Sequence, residues 1–244
     1  MNKKERQRVI EEMEVRALDP KTCKAYMVSL DRFFNYHKDK SAKDLCIDEI
    51  KNYQRHLLKE DLAPNSINRH LSSIRFFYRF VYGRHWYTDA LPRLKSPSYQ
   101  PEVLSRKEVQ LMIKSVNKIF YKAILMTLYS TGMRAAELRN LKVKDIDRDR
   151  MIIKIRQGKG KKDRQALLSP VTLQCLESYW REDRIPRKQK SDYLFMPTKN
   201  SIGSLENSLS HTALSYVVKI AIKAAGIKKK LRLIPFGIAL RFTF

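Results

Sequence analysis

The sequence is poor in acidic residues, cysteine and glycine, and it has no long apolar run. Its three cysteines, Cys23, Cys46 and Cys175, are too few and too far apart for a disulfide framework or a metal site, so each is predicted to be a small buried or half-buried side chain. Apolar runs such as residues 123–126 are far too short to cross a bilayer. The first residues, MNKKERQRVIEEME, lack the apolar stretch of a signal peptide, so the chain is predicted to be cytoplasmic.

The shortage of acidic residues leaves a large positive charge. Lysine and arginine number 50 against 25 aspartate and glutamate, a formal net charge of +25 over 244 residues. Because self-repulsion gains an isolated fold nothing, this surplus predicts a polyanionic partner. A membrane surface would require one strongly basic amphipathic helix, whereas these cations are spread over the whole chain. Nucleic acid is therefore the predicted partner, since neutralised phosphates release counterions, and neither a membrane nor a small-molecule substrate is expected.

The first hundred residues show the spacing of amphipathic helices. A break at residues 61–65 precedes a predicted helix over residues 66–82, with Asn65 or Ser66 as its N-cap. Its apolar face holds Ile67, Leu71, Ile74, Val81 and one of Phe77 and Tyr78. Its other face carries polar and basic side chains, namely Asn65, Arg69, Ser72, Arg75 and Arg79. Such a stripe is usually a solvated face, but in a chain of this charge it predicts a surface for DNA phosphates.

Three prolines, Pro92, Pro97 and Pro101, interrupt any regular helix after this half. The predicted organisation is a helical domain over residues 1–91, a linker over 92–101 and a second domain over 102–244. The second domain opens on a capping box that pairs Ser105 with Glu108, and this pair predicts a helix start.

The second half mixes helices with a short hairpin. Residues 151–156 alternate apolar with basic side chains and are predicted to form a strand. Residues 158–160 are predicted to form a turn, and residues 164–168 the second, antiparallel strand. Helices are predicted over 121–130, 172–180 and 211–225, with Gly226 ending the last of them. Tyr216 is predicted to face the core. The fold class is therefore mainly α with a small antiparallel β hairpin or sheet.

An ordered set of motifs runs through this second half. Residues 131–138 read TGMRAAEL, Leu141 follows, residues 145–147 read DID, and GKGKK at 158–162 precedes Arg164. The set resembles the first part of the catalytic domain of tyrosine recombinases, the phage integrases and their Xer-like relatives. Upstream, VLSRKEV at 103–109 resembles the entry to that domain, and SINRHLS at 66–72 with FFY at 76–78 is similar to the last helices of the family's core-binding domain. The resemblance covers about residues 15–230 and implies a helical, SAM-like core-binding domain followed by a mixed α+β catalytic domain.

The resemblance also implies a chemistry. In that family a tyrosine attacks a DNA phosphodiester and forms a 3′-phosphotyrosine, so rejoining needs neither a metal nor a cofactor. The resemblance implies that Arg134 stabilises the negative charge on the non-bridging oxygens of the transition state. It implies that Lys159 is the general acid that protonates the leaving 5′-oxygen. Lys161 is a rival for that second role, and Lys161 and Lys162 are expected to contact DNA. Glu137 is expected to orient Arg134. From spacing alone, Arg134 is equally a surface arginine paired with Glu137, and Lys159 a solvated hairpin lysine.

The later motifs of the family are missing. The family continues with a His-x-x-Arg segment, a further His or Trp and the nucleophilic Tyr, whereas residues 231–244 read LRLIPFGIALRFTF. His211 lies upstream of where the motif belongs, at a helix start. Codons compatible with the tail can encode a His-x-x-Arg string in another frame, which supports the hypothesis of a frameshift near Lys230 and an out-of-frame tail over 231–244. The catalytic domain is therefore predicted to be incomplete and the chain inactive in strand cleavage.

Three functions follow from these patterns. The first is a tyrosine recombinase of a mobile element or chromosomal system, inactive as written, whose intact relatives act as tetramers on inverted-repeat sites in double-stranded DNA. The second is a non-catalytic, sequence-specific DNA-binding protein that occupies recombination sites. The third is a general nucleic-acid-coating protein, for which the Gly-rich or aromatic signatures of RNA binding are missing.

Overall fold

The computed structural model consists of two compact units, residues 1–99 and 100–244, and each has an apolar core of its own. The structure describes residues 1–85, 91–96, 102–156, 163–187, 191–197 and 208–229. Within these ranges no helix combines the length and the apolar character needed to cross a bilayer. No three His, Cys, Asp or Glu side chains of the same ranges come together in a way that could hold a metal ion.

The first unit is built from helices. They are α1 Lys3–Val15, α2 Pro20–Tyr36, α3 Ile47–Lys59 and α4 Pro64–Val81. Local sequence fixes where they begin: Asn2 and Glu5 form a capping box at the start of α1, and Asp19 caps α2 just before a proline at its first position. Helix α4 packs against α2 and also contacts α1 and α3, so it is the central helix of this unit.

Helix α4 starts earlier than the sequence predicts. Its N-cap is Ala63 and its first residue is Pro64, so the prediction of Asn65 or Ser66 as N-cap is wrong. The ring of Pro64 already fixes a helical φ and lacks the N–H that the first turn leaves unpaired, and this favours a start at the proline. The predicted apolar face is confirmed, and both Phe77 and Tyr78 are fully buried.

The second unit surrounds one apolar helix. Its helices are α5 Arg106–Lys114, α6 Ile119–Thr131, α7 Ala135–Arg139, α8 Pro170–Tyr179 and α9 His211–Ala224. The predicted capping box at the start of α5 is confirmed by hydrogen bonds in both directions between Ser105 and Glu108, of 2.7 and 3.2 Å. Helix α6 contributes most of its side chains to the core and contacts α5, α7 and α8.

A small antiparallel sheet lies in the same unit. Its strands are β1 Ile146–Asp147, β2 Ile152–Ile155 and β3 Arg164–Leu167, in the order β1-β2-β3. The predicted hairpin is confirmed as β2 and β3, with Ile155 opposite Arg164 at its far end. Strand β1 was not predicted, because two residues carry no alternating pattern.

Two single-residue predictions are wrong. Tyr216 is 58% exposed, because the buried stripe of α9 consists of Leu214, Val217, Val218 and Ala221 and leaves position 216 outside it. Cys46 is exposed at the N-cap of α3, where its backbone N–H donates to Glu49, while Cys23 and Cys175 are half-buried as predicted.

Candidate functional site

A tight turn after α6 presents Arg134. Helix α6 ends at Gly132, whose φ of +57° lies in the left-handed region that side chains with a Cβ rarely adopt. The hydroxyl of Thr131 donates to the carbonyl of Thr127 at 2.6 Å and accepts the N–H of Met133 at 3.3 Å. Arg134 is then the N-cap of the short helix α7. We call residues 131–137 the arginine turn.

The carboxylate of Glu137 holds this turn together. Its side chain is 4% exposed, and it accepts three hydrogen bonds. One oxygen, Oε1, accepts from Nη1 of Arg134 at 2.6 Å. The other, Oε2, accepts the backbone N–H of Arg134 at 2.8 Å and Nη2 of Arg164 at 2.7 Å. Both oxygens of Glu137 are therefore used to fix arginines, and the contact expected between Glu137 and Arg134 is present.

Arg134 keeps donors available. Its side chain is 31% exposed, and Nη1 is its one guanidinium nitrogen that donates to a described residue. Nε is buried and has no hydrogen-bond partner within the described ranges. Buried donors in folded proteins are nearly always paired, so an unpaired one calls for an acceptor from a ligand or water. A guanidinium fixed on one side by a carboxylate and open on the other suits the oxygens of a phosphate.

The ionisation of Glu137 follows from these contacts. Burial acts to raise its pKa, but the hydrogen bonds from the Arg134 backbone, the Arg134 guanidinium and Arg164 together outweigh burial, so the pKa is lowered. Glu137 is therefore a carboxylate at neutral pH and cannot donate a proton. This agrees with a role in holding Arg134.

Low pH is expected to lower the stability of the second unit by protonating the carboxylate of Glu137. Because the pKa of Glu137 is lower in the folded than in the unfolded chain, its contribution to stability is present above the unfolded pKa and is lost as pH falls through the folded value. Denaturant unfolding of the wild type and of Glu137→Gln, followed from neutral to acidic pH, should give two stability curves that converge at low pH. A constant difference between them would contradict this prediction.

A second arginine of the hairpin also pairs with a buried carboxylate. Arg156, directly after β2, donates from Nε to Oδ1 of Asp145 at 2.6 Å, and the Asp145 side chain is 3% exposed. This hydrogen bond and the charge of Asp145 raise the pKa of Arg156. Arg164 makes the corresponding contact with Glu137 at the start of β3. The predicted general acid Lys159, with Lys161 and Lys162, lies between these two arginines and outside the described residues.

The side chains of the predicted stripe on α4 differ in exposure and in their hydrogen bonds. Arg69 and Arg79 are exposed, and the hydroxyl of Ser72 donates to the carbonyl of Asn68 at 2.8 Å. The guanidinium of Arg75 is half-buried and donates to the carbonyl of Leu91. Of this set, Arg75 therefore has a hydrogen-bond partner inside the first unit, and the contact of these side chains with DNA stays a prediction.

Residues 91–96 lie along α4. The side-chain amide of Asn68 donates to the carbonyl of Leu94 at 2.9 Å and accepts its N–H at 3.0 Å. The hydroxyl of Ser96 donates to the side chain of Asn65 at 2.6 Å. Together with Arg75 and Leu91, these bonds tie the segment to the helix at several points. The sequence alone gave no sign of them, because the partners are 16 to 31 positions apart.

Arg69 instead belongs to a groove between α2 and α4. The groove has a volume of ≈ 350 Å³, and its cationic lining residues are Lys21, Lys24 and Arg69. All three are exposed, and none makes an ion pair with a residue in the described ranges. Lys21 and Lys24 were not predicted as site residues, although their three-residue spacing near the start of α2 places them on one helix face. We call this feature the α2–α4 groove.

A helical unit followed by a unit in which an arginine turn stands beside a three-stranded antiparallel sheet is the architecture of a tyrosine recombinase. The phage integrase family model matches residues 102–236, more than half of the chain, and the model of the family's N-terminal SAM-like domain matches residues 6–88. The chain belongs to the phage integrase family.

Curated relatives agree with this assignment. The chain is 39% identical over 181 residues to the integrase/recombinase y4qK of Sinorhizobium fredii, a match over 73% of this chain and 58% of that protein. It is 42% identical over 136 residues to y4eF of the same organism, over 55% of this chain and 54% of that protein. The tyrosine recombinase XerA of Pyrococcus horikoshii is 26% identical over 215 residues, 88% of this chain and 71% of that protein. The chain thus spans little more than half the length of the first two.

Solved structures show the same fold. The XerH site-specific recombinase bound to its difH substrate superposes with a TM-score of 0.71 at 18% identity, over 98% of this chain and 73% of that one. A lambda integrase dimer bound to a COC′ core site superposes with a TM-score of 0.67 at 16% identity, over 91% of this chain and 82% of that one. At these identities the likeness concerns the fold alone.

Proposed function

We propose that this polypeptide binds the DNA of a recombination site as a tyrosine recombinase does, with Arg134 on a phosphate, but does not cleave it. The observation that carries the proposal is the arginine turn: a guanidinium is fixed by a buried carboxylate and has donors that no described residue occupies. The relatives named above are recombinases, and those whose structures superpose were solved on DNA. The net charge of +25 supports the same kind of partner.

The role of Arg134 follows from the charge of phosphoryl transfer. As a nucleophile attacks a phosphodiester, negative charge grows on the non-bridging oxygens, and a fixed guanidinium stabilises that charge without having to reorganise. Glu137 supplies the fixing, since it holds both the backbone and the side chain of Arg134. Lys159 remains the proposed general acid for the leaving 5′-oxygen. The reaction uses the energy of a covalent protein–DNA bond and so needs no cofactor.

The absence of cleavage follows from residues that are missing from these 244 positions. The chain has five histidines, and none is followed by an arginine three residues later, so these 244 residues contain no His-x-x-Arg motif. The resemblance places the nucleophilic tyrosine beyond that motif. Without the nucleophile no phosphotyrosine can form, and the remaining electrostatics do not substitute for it.

A trapping experiment tests both parts. The preferred DNA is first selected from a library of randomised inverted-repeat duplexes by binding to the purified polypeptide. Nicked versions of that DNA, which release a short fragment on cleavage and so trap a covalent intermediate, are then incubated with the protein. We expect a specific gel shift and no adduct that survives detergent. A tyrosine recombinase with an intact His-x-x-Arg motif, on its own site, serves as the positive control. A stable adduct would disprove inactivity, and failure to bind any DNA would disprove the whole proposal.

We further propose that the α2–α4 groove contacts the DNA backbone. Replacing Lys21, Lys24 and Arg69 together with glutamine should reduce the slope of log affinity against log salt by about 2.7, since each lost phosphate contact contributes about 0.9. The slope can be measured by fluorescence anisotropy on a short random-sequence duplex, because phosphate contacts do not depend on the base sequence.

A matched control removes the same charge elsewhere in the first unit. Arg6, Lys40 and Lys51 are each already paired with a carboxylate, those of Asp31, Glu49 and Asp48 respectively. The triple glutamine variant of these three residues should leave the slope close to that of the wild type. Equal slopes for the two triple variants would show that the groove has no special part in binding.

A further inference from the structure

The guanidinium of Arg164 reaches across the second unit to the arginine turn. Arg164 begins β3, and its Nη2 donates to Oε2 of Glu137 at 2.7 Å, across 27 positions of sequence. That same oxygen accepts the backbone N–H of Arg134 at 2.8 Å. Because Oε2 already has these two donors, the side chain of Arg134 is left with Oε1 alone, to which Nη1 donates at 2.6 Å.

We infer that Arg164 is a positioning residue, which by engaging Glu137 keeps Arg134 bound to that carboxylate through a single nitrogen and leaves its other donors for a phosphate. The inference deepens the function proposed above and rests on it for the phosphate. A carboxylate and a guanidinium left to themselves favour a bidentate pair with two parallel hydrogen bonds. Arg164 prevents this by occupying the second oxygen.

Removing Arg164 would free one oxygen of the Glu137 carboxylate. Without its Nη2, Oε2 of Glu137 keeps only the backbone N–H of Arg134, and the carboxylate can turn to accept a second nitrogen of the same guanidinium. The Nη2 of Arg134, which stands beside Nη1 and now donates to no described residue, would then be occupied by the same carboxylate. A phosphate would meet a guanidinium with fewer available donors and a changed direction.

The hairpin supplies a matched control. Arg156 and Arg164 stand at the two ends of the segment 157–163, each pairs with a buried carboxylate, and each side chain is partly exposed. Arg156 contacts Asp145 and not Glu137. Arg156→Gln therefore removes the same charge and weakens the same hairpin, but leaves the partners of Arg134 unchanged. A merely structural or electrostatic role predicts equal effects of the two substitutions.

The test uses the whole chain and two readouts. In the first, carbon-13 NMR follows the titration of the Glu137 carboxyl, and nitrogen-15 NMR follows the Nε–H signal of Arg134. Arg164→Gln should raise the pKa of Glu137 and shift the Arg134 signal, whereas Arg156→Gln should do neither. Arg164→Lys should restore both toward the wild type, because a single donor is all that Arg164 uses. It also provides a folded variant if Arg164→Gln does not fold.

The second readout is binding of the DNA selected from the randomised library. Arg164→Gln should weaken binding about tenfold more than Arg156→Gln does, the equivalent of one hydrogen bond to a charged group. The inference is overturned if Arg164→Gln leaves the Arg134 signal unchanged, or if Arg156→Gln shifts it as much. If the wild type binds no DNA, the proposed function fails, and the two NMR signals still decide whether Arg164 positions Arg134.

Discussion

Replacing Glu137 with alanine is expected to lower the free energy of unfolding of the second unit by about 3 kcal/mol. The substitution removes a carboxylate that is 4% exposed and leaves two guanidinium groups and the backbone N–H of Arg134 without their acceptor. Loss of a buried ion-pair partner costs about 3–5 kcal/mol. The lower end applies here, because Arg134 and Arg164 are 31% and 38% exposed and water can solvate them in part.

Hydrogen exchange of the amides in α6 and α7, combined with denaturant unfolding, measures this loss separately from the first unit. The control is Glu177→Ala in the same unit, since Glu177 pairs with Arg148 at the surface, where the Arg148 side chain is 68% exposed. That control should change stability by less than about 0.5 kcal/mol. A loss below about 1 kcal/mol for Glu137→Ala would mean that the turn is held by its backbone alone.

Replacing Phe77 with alanine is expected to destabilise the first unit by about 4 kcal/mol, the middle of the range for a fully buried phenylalanine. Phe77 has no exposed surface, and it lies on α4, the helix against which the others of this unit pack. Its ring is in edge contact with Phe34, Tyr78 and Tyr82, with centroids 5.0, 5.1 and 5.6 Å away. The cavity left by alanine would be walled by rigid aromatic rings that cannot easily collapse into it.

The neighbouring Phe80→Ala is the matched control for this prediction. Phe80 is on the same helix but only half-buried, with the Arg16 guanidinium 3.7 Å from its ring centroid. Its loss should cost about 1 kcal/mol, because a half-buried ring leaves no closed cavity. Urea unfolding monitored by hydrogen exchange in α4 distinguishes the two variants. Equal losses would contradict the assignment of Phe77 to the centre of this core.

The sequence predicts the fold well where a pattern is long. The apolar face of α4 extends over several turns, and burial alternates along the four residues of β2, so the sequence predicts both the helix and the hairpin, and both are present. The failures are local. The pattern misplaces the start of α4, because the polar residues after Pro64 resemble an N-cap. It also places Tyr216 in the core, because a largely apolar helix does not show which of its sides is covered.

For the candidate site, too, the sequence predicts the local contact but not the long-range ones. The contact between Glu137 and Arg134 follows from a three-residue spacing at a helix start, where a glutamate commonly reaches back to the cap. The contact between Glu137 and Arg164 bridges 27 positions, and nothing in either local segment indicates it. For the same reason the groove that joins Arg69 to Lys21 and Lys24 could not be predicted, since it forms only when α2 and α4 pack together.

The hydrogen bonds between α4 and residues 91–96 determine how the first unit should be dissected from the chain. A fragment that ends at residue 90 would leave the side-chain amide of Asn68 and the guanidinium of Arg75 without these acceptors on a half-buried helix face. A fragment that ends after Ser96 retains every one of these bonds. The longer fragment should therefore be the more stable of the two, and proteases should not cut the intact chain within this segment.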